Sequence, residues 1–484
     1  MRTLACGILA CLLVGLAAAQ EAHDPYEVAN LLRQIPPLTH DAAGRWPVIC
    51  WEPFITTARD DGFRQGTPLP VETYRALHRR GLAAAVRLDV KYIPMALAIQ
   101  RAGMPVIIME GGGGNAPGSD APDALHTLPR DFTPKGGVHP CPLLLAGWHN
   151  RAMQVRETLK AFTDAGVTVN AAWLDWENQP IWGTNEWEQS KHCSRCAKLF
   201  PPSVLRDYPS YRAFILRFRQ HLFSTYLCAP VLEAYPGCSV TNWSVVCSTP
   251  ERPATHYWGR FLFPPMDGGL FTATNPVAYG NDIYHALHWK TYFGDLPLTQ
   301  DRMDRLYLHV MFSQLSDDAA NLAQWAPEKQ SIPWVCRYCP DMEDETIPIL
   351  DRARYREFLR HVWLRGADGL QVFNARRPTR PHLRLEEVQD AVASLDEMLR
   401  YRRFLEGGTV MTTAVPHPGE DGAIWSGLRL GDEAIVRAFT LAAQPATLVF
   451  TPWEDAAILA LEAPPAGATY HLSRDGERVR VVKE

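Results

Sequence analysis

The sequence predicts a (β/α)8 (TIM) barrel followed by a C-terminal antiparallel β-sandwich. Between about residues 45 and 405, eight short apolar runs typical of strands alternate with helical runs. Strands that alternate with helices favour a parallel sheet, and eight such units favour a closed barrel. Beyond about residue 407 the pattern changes to short alternating runs. A chain of 484 residues is long enough for one large barrel and a smaller module.

The first residues are typical of an export signal. Arg2 supplies a positive charge, residues 4–16 are an apolar run, and residues 17–19 are three alanines suited to cleavage. The pattern predicts a signal peptide over residues 1–19 and a secreted or periplasmic protein, with a buried core helix as the alternative. The apolar run is shorter than a membrane span needs, and no later run reaches about eighteen apolar residues, so no span is expected.

The predicted barrel strands are apolar runs of five to seven residues. They cover residues 47–51, 83–88, 105–109, 169–174, 239–245, 270–274, 332–337 and 369–373. Helical stretches, with apolar residues three and four positions apart, cover residues 71–80, 92–102, 147–165, 211–232, 302–322, 352–364 and 385–405. The barrel is therefore predicted over residues 45–405.

The C-terminal part alternates apolar and polar residues in short runs. These runs cover residues 409–415, 423–430, 433–441, 447–451, 457–461, 469–473 and 479–482. The turn sequences PGEDG, RLGDE and SRDGE separate some of them. Such spacing is typical of a small antiparallel sandwich, predicted here over residues 407–484.

Composition narrows the class of partner. The net charge is −5 and no basic block is present, which argues against nucleic acid. The 15 Trp offer flat faces for sugar rings, although they also suit an ordinary core. Two long loops, residues 111–145 and 178–210, follow the third and fourth strands. Loops after barrel strands build the active face, so we expect these two to form walls of a cleft.

Polar side chains at strand ends are the candidates for chemistry. The fourth strand ends in Asp175-Trp176-Glu177. Because strand side chains alternate, Trp173, Asp175 and Glu177 share a face and place two carboxylates at the barrel mouth. Two close carboxylates cannot both ionise freely, which predicts a general acid beside an ionised partner, as glycoside cleavage requires. A structural acidic pair held by Arg or Lys is the alternative.

The segment AAWLDWENQPIW resembles the Asp-x-Glu catalytic strand of the chitinase–hyaluronidase superfamily, and its DWE triplet is closest to hyaluronidases. The resemblance implies that Glu177 protonates the glycosidic oxygen. It also implies that Asp175 orients a 2-acetamido group whose carbonyl acts as nucleophile. Glu110, followed by glycines, falls where chitinases have a Gly-rich third-strand motif, and Tyr279 falls where a chitinase tyrosine contacts the acetamido group.

A second mechanism stays open, because Asn170 and Trp173 stand where the chitinase pattern has two further Asp. Many retaining barrel glycosidases take the nucleophile from the seventh strand. Asp341 is the best placed of the acidic residues after that strand, although a solvated acidic loop is the alternative. Glu52, after the first strand, is equally suited to catalysis or to a buried structural role.

Other polar and aromatic residues near strand ends are candidate substrate contacts. Arg87 and Asp89 are expected to form an ion pair in the mouth, or alternatively Arg87 grips a uronic or sialic acid. The remaining candidates for substrate contacts, each of which is alternatively a structural residue, are His149, Trp182, Asn242, Trp243 and Asn374.

Nine cysteines follow the predicted signal, an odd number that leaves at least one thiol unpaired. Cys193 and Cys196 form one C-x-x-C pair, and Cys336 and Cys339 form another. Together the pairs have the ligand count of a four-cysteine zinc site, with disulfides as the alternative in an exported protein. Apart from this zinc, no cofactor is expected.

The sequence thus predicts a secreted glycoside hydrolase acting on an oligo- or polysaccharide. Glu177 is the predicted acid and Asp175 the orienting or tuning carboxylate. The alternatives are a non-catalytic carbohydrate-binding barrel, a sialic- or uronic-acid-directed glycosidase that uses Arg87, and a zinc-dependent hydrolase.

Overall fold

The structure is a computed structural model that describes residues 27–51, 66–111, 125–175, 183–244, 269–279, 292–297, 299–337, 348–373 and 381–484. Residues of the predicted signal peptide lie outside this set. Within the described residues, no helix has both the length and the apolar character needed to cross a membrane.

A curled parallel sheet forms the body of the fold. Its strands are β1 (Val48–Trp51), β2 (Leu82–Arg87), β3 (Ile107–Gly111), β4 (Ala171–Asp175), β5 (Ser239–Ser244), β6 (Ala273–Tyr279), β7 (Gln330–Ser331), β8 (Trp334–Cys336) and β9 (Leu370–Val372). Their order is β5-β4-β3-β2-β1-β9-β8-β6-β7, and β5 also pairs with β6. The pairing therefore returns to its start, and the predicted parallel sheet is confirmed.

Helices connect most of these strands. They are α1 (Glu27–Leu32), α2 (Val71–His78), α3 (Ile93–Arg101), α4 (Ala146–Asp164), α5 (Thr184–His192), α6 (Cys196–Leu199), α7 (Pro202–Arg206), α8 (Tyr208–Phe223), α9 (Ala229–Ala234), α10 (Gln300–Trp325), α11 (Arg352–Trp363), α12 (Pro381–Leu399) and α13 (Arg402–Gly407). A π-helical turn, Ser224–Cys228, joins α8 to α9.

The helices differ from the sequence prediction in three places. The predicted helix 211–232 is two helices joined by the π-helical turn. The predicted helix 385–405 ends at Leu399 and resumes as α13. The predicted loop 178–210 contains α5, α6 and α7, so its described part is largely helical. These helices are short and carry few periodic apolar residues, which explains why periodicity did not reveal them.

Two strands differ because of proline, which has no N–H for the ladder. The predicted strand 332–337 is interrupted at Pro333, so β7 ends at Ser331 and β8 begins at Trp334. The predicted strand 270–274 instead runs from Ala273 to Tyr279 and accommodates Pro276. The residues after Pro276 are therefore part of the sheet.

The two faces of the sheet are distinguished by their partners. Thr274 on β6 donates to Asp318 of α10, at 2.9 Å, and Glu110 on β3 is 2.5 Å from Nε of Arg151 on α4. These positions face the helix layer. Since strand residues alternate, the neighbouring positions Met109 and Asn275 occupy the inner face.

Register extends the inner face around the ring. Trp173 pairs with Met109 on one side and with Thr241 on the other, and Trp334 pairs with Gln371. Residues paired across parallel strands point to the same side of the sheet. The inner face therefore carries Trp173 on β4, one pleat before Asp175.

The C-terminal module consists of two antiparallel sheets. The first has the order β10 (Thr409–Val410), β11 (Ala423–Leu430), β12 (Glu433–Thr440), β15 (Ala468–Asp475) and β16 (Arg478–Lys483). The second pairs β13 (Ala446–Phe450) with β14 (Leu459–Ala463). Val436, Leu448 and Leu461 belong to one buried cluster shared by both sheets. The predicted sandwich is confirmed in part, as separate sheets of five and two strands.

A buried ion pair joins this module to the barrel helices. Arg437 on β12 donates to both carboxylate oxygens of Glu357 on α11, at 2.6 and 2.7 Å. His361, one turn further along α11, is 2.9 Å from Ser426 on β11. Burial lowers the pKa of His361 to about 4, so the ring is neutral near pH 7.

Candidate active site

Asp175 is the last residue of β4, at the carboxyl end of the parallel sheet. Its Cα pairs with that of Gly111, the last residue of β3. Alternation places position 175 on the same face of β4 as Trp173, which is the inner face. The backbone therefore delivers Asp175 to the edge of the sheet where barrel enzymes carry their catalytic groups.

Several predicted site residues lie outside the described residues. They are Glu52, Trp182, Asn374, Asp341 and the predicted acid Glu177. Glu177 follows Asp175 by two positions in the sequence.

Buried polar atoms line the inner face below this edge. Trp173 Nε1, Asn275 Oδ1, Trp334 Nε1 and both amide atoms of Gln371 have no hydrogen-bond partner among the described protein atoms. Buried polar groups are almost always paired, with water where no protein group serves. Because these side chains are buried, ordered water inside the barrel is the partner expected for them.

An aromatic stack adjoins these polar atoms. The rings of Tyr279 and Phe373 are 5.1 Å apart and inclined by 19°, and those of Phe373 and Trp334 are 5.6 Å apart and inclined by 22°. Tyr279 is the last residue of β6, Trp334 is the first residue of β8, and Phe373 directly follows β9. Flat rings of this kind suit the apolar faces of sugars. The sequence predicted Tyr279 beyond the sixth strand, whereas it is the last residue of β6. Its contact with substrate stays a prediction.

Two predicted substrate contacts are corrected. Glu110 is 3% exposed and its carboxylate pairs with Arg151 on α4, so it faces the helix layer. Asn242 pairs in register with Leu174, which pairs with Glu110, and therefore shares that outer face. Alternation alone did not reveal this, because apolar residues occupy both faces of buried parallel strands. Trp243, the next residue, occupies an inner-face position opposite Asn275.

Three further candidates have structural contacts. The carboxylate of Asp89 accepts a hydrogen bond from the backbone amide of Lys91 at 3.0 Å and lies 3.5 Å from the Lys91 ammonium. Asp89 therefore caps a turn after β2. His149 Nε2 is 3.3 Å from the Tyr226 hydroxyl in the π-helical turn. Arg87 is exposed at the end of β2. Its predicted grip on a charged sugar stays a prediction.

The structure groups the cysteines differently from the sequence prediction. Cys193 and Cys196 lie with His126 and Cys141, whose ligand atoms are all within 4.8 Å of one another. Cys336 is instead at the end of β8, with its Sγ 3.9 Å from the Glu387 carboxylate. The predicted four-cysteine set is corrected, since Cys336 belongs to another part of the sheet; Cys339 lies outside the described residues.

Sequence reasoning missed His126 and Cys141, which lie in the loop after β3. Their spacing along the chain from Cys193 gives no local signal. The sequence held one indication of the cluster: Cys141, which had no assigned role, lies in the loop after β3, and β3 is the neighbour of β4. In this cluster the pKa of the Cys193 thiol lies below its ordinary value, first because of its hydrogen bond with Cys141.

The described cysteines are all buried, and no disulfide joins any of them. They include Cys50 on β1, whose thiol pKa is raised by burial. The expected core role of Cys50 agrees with this position.

Neither a protein-family model nor a curated protein sequence matches the chain. Solved structures with distant similarity include a GH42 β-galactosidase from G. stearothermophilus, at 10% identity and a TM-score of 0.45, covering 75% of this chain and 58% of that one. The trehalose-6-phosphate hydrolase of Bacillus licheniformis matches at 8% identity and a TM-score of 0.46, covering 90% of this chain and 100% of that one.

A β-galactosidase from Halorubrum lacusprofundi matches at 14% identity and a TM-score of 0.44, covering 73% of this chain and 58% of that one. The chain thus spans little more than half the length of the two β-galactosidases. At these identities and TM-scores the similarities do not assign an activity or a family to the chain.

Proposed function

We propose that the protein is an exported glycoside hydrolase that cleaves an oligo- or polysaccharide at the carboxyl end of its parallel sheet. The observation that carries the proposal is the position of Asp175. It is the final residue of β4 and occupies the inner face, two residues before Glu177. General acid catalysis on a glycoside uses a pair of carboxyl groups, and barrel enzymes carry their catalytic groups at this edge of the sheet.

Glu177 is the proposed general acid. Its proton passes to the glycosidic oxygen as the bond to the anomeric carbon breaks, so the leaving sugar departs as an alcohol. Water then supplies a hydroxyl group to the anomeric carbon, and its second proton restores the acid. Two carboxyl groups this close along the chain cannot both ionise freely, so an ionised Asp175 favours the protonated form of Glu177 that the mechanism requires.

Two versions of this mechanism are possible, and they differ in the group that stabilises the anomeric carbon. In the first, Asp175 orients a substrate acetamido group that acts as nucleophile, as the chitinase–hyaluronidase resemblance implies. In the second, an acidic residue after β8, such as Asp341, attacks directly. A nucleophile stands about 5 Å from the acid, whereas a carboxylate that activates water stands roughly 6.5–9.5 Å away.

The inner face supports a sugar as the ligand. Tyr279, Phe373 and Trp334 stack on the inner face near the carboxyl end of the sheet, and Phe373 is partly exposed there. Aromatic rings of this kind suit the apolar faces of sugar rings.

Hydrolysis of a glycoside panel tests this proposal. Aryl glycosides and polysaccharides with and without acetamido groups are incubated with the protein, and new reducing ends are measured. We expect one class to be cleaved, and Asp175→Asn to lower that rate by about 10²-fold or more. Glu233→Gln, which changes an exposed carboxylate paired with Arg156, serves as the matched control.

The class of sugar that is cleaved separates the alternative functions. Cleavage restricted to acetamido sugars supports substrate assistance, and cleavage restricted to uronic or sialic acids supports the role of Arg87. Saturable sugar binding without any cleavage supports a carbohydrate-binding protein and contradicts the hydrolase.

A further inference from the structure

Four side chains from two loops beside the candidate active site converge on one buried point. His126 and Cys141 come from the loop after β3, whereas Cys193 and Cys196 come from the helical segment after β4. Each is at most 6% exposed, and their ligand atoms lie within 4.8 Å of one another. The cluster is a structural feature distinct from the proposed carboxylate chemistry.

The spacing of these atoms matches a tetrahedral metal site. Cys141 Sγ is 3.6 Å from Cys196 Sγ, and Cys196 Sγ is 3.7 Å from His126 Nδ1. Zinc bonds to thiolate and imidazole at about 2.3 and 2.0 Å, which gives tetrahedral edges of about 3.8 Å between two sulfurs and about 3.5 Å between sulfur and nitrogen. The same sulfur atoms are too far apart for a disulfide, whose S–S bond is about 2.0 Å.

The surroundings suit a charged metal centre. The backbone amide of Cys196 hydrogen-bonds to the sulfur of Cys193, which is the turn expected of a C-x-x-C metal knuckle. Three thiolates and one zinc ion carry a net charge of −1, and the guanidinium of Arg195 lies beside Cys141 to balance it. Arg195 also donates to the carbonyl oxygen of Leu125, next to His126.

Both loops are already docked on each other around the cluster. The amide of His139 donates to Gln189 Oε1 at 2.8 Å, and the amide of Ser194 donates to the carbonyl oxygen of Thr127 at 3.1 Å. The rings of Phe132 and His192 stack at 4.1 Å. The two segments that carry the four ligand residues are thus held against each other by backbone and side-chain contacts.

We propose that His126, Cys141, Cys193 and Cys196 bind one structural zinc ion, which fastens the loop after β3 to the helices after β4. Three sulfurs and one imidazole nitrogen in a tetrahedral set favour zinc over Ca²⁺, Mg²⁺ or Mn²⁺, which prefer oxygen ligands. All four positions are filled by protein, so the ion has no open position for substrate and does not take part in hydrolysis.

Metal content of the purified full-length protein tests the site. We expect one zinc per chain by elemental analysis and by native mass spectrometry. Cys141→Ser is expected to lower zinc affinity by at least about tenfold, since changes to outer-shell groups alone cost that much. Cys238→Ser, at a buried thiol outside the cluster that donates to a backbone carbonyl, is the matched control and should retain the zinc.

A second measurement on the unaltered protein covers the case in which the variant does not fold. Alkylation followed by peptide mapping should find Cys141, Cys193 and Cys196 protected until a chelator is added. Proteolysis within residues 125–145 and 183–200 should then increase, because the two loops lose their shared anchor.

Three results would overturn the assignment. They are zinc far below one per chain in protein produced with ample zinc, a disulfide between any two of the three cluster cysteines, and stoichiometric iron or copper in place of zinc. None of these results depends on whether the protein hydrolyses a glycoside.

Discussion

At the scale of single residues, the molecule contains buried carboxyl groups whose neighbours fix their protonation. Asp318 on α10 is 2% exposed and accepts hydrogen bonds from Thr274 and Ser331, at 2.9 and 2.6 Å. Burial raises its pKa to about 7, and the nearby carboxyl groups of Asp368 and Asp317 add to the rise. This carboxyl group belongs to the helix–sheet packing, away from the inner face.

Asp318→Asn should change how stability depends on pH. In the folded protein Asp318 keeps its proton up to about pH 7. In the unfolded chain it loses that proton above its ordinary pKa of 3.8. Its contribution to stability is therefore fully present below that value and is lost as pH rises toward about 7. Asparagine has no such titration, so the variant should gain stability relative to the wild type between about pH 5 and 8.

Urea unfolding of both proteins at several pH values measures this effect. Asp475→Asn, at an exposed strand end, controls for loss of a surface charge. Parallel pH profiles for the wild type and Asp318→Asn would show that Asp318 is ionised in the folded state at neutral pH.

Glu110→Gln tests the structural assignment of that residue. The change leaves Arg151 without its partner carboxylate, whose Oε1 lies 2.5 Å from Nε, and should cost about 1–3 kcal/mol of stability. The hydrolysis rate per folded molecule should stay near the wild-type value. If Glu110→Gln instead leaves stability unchanged and raises KM, Glu110 is a substrate-binding residue.

At the scale of elements, the contact between α11 and β12 joins the barrel to the C-terminal module. Glu357 is 4% exposed, and its carboxylate accepts two hydrogen bonds from Arg437. Although burial opposes ionisation, hydrogen bonds from His361 and Arg437 lower the pKa of Glu357 to about 2. The pair is therefore charged at neutral pH and cannot be broken without leaving a buried charge.

Arg437→Met should destabilise the protein by about 3–5 kcal/mol, because a buried carboxylate loses its main partner. Arg403→Gln removes an ion pair between the exposed Arg403 and the partly exposed Glu433, and should cost less than about 1 kcal/mol. Thermal unfolding of both variants gives the comparison. Equal losses would mean that the Glu357–Arg437 pair does not hold the module in place.

Elements with strong periodicity could be predicted closely from the sequence. The run 423–430 is strand Ala423–Leu430, and the predicted helix 147–165 is Ala146–Asp164. Prediction failed where local and tertiary preferences conflict. Proline is rare inside strands, yet Pro276 lies within β6, which pairs with β5 and β8. The short helices α5 to α7 depend on packing rather than on periodicity.

At the scale of the whole molecule, the curled parallel sheet could be predicted because alternation of strands and helices leaves few other topologies. The inner face of β4 could be predicted from alternation, but the faces of β3 and β5 could not, since both faces of buried parallel strands are apolar. Glu110 shows the consequence, because its direction follows only from its contact with Arg151. The cysteine cluster could not be predicted either, since His126 and Cys193 meet only after β3 and β4 pair.

The rate of glycoside cleavage by Glu177→Gln tests the central claim most directly. Glutamine retains the size of the side chain and cannot donate the catalytic proton, so the variant should fold as the wild type does. For the substrate class that the wild type cleaves, kcat should fall by about 10²–10⁴-fold while unfolding temperature is unchanged. A folded Glu177→Gln variant that hydrolyses the same substrate at the wild-type rate would contradict the account.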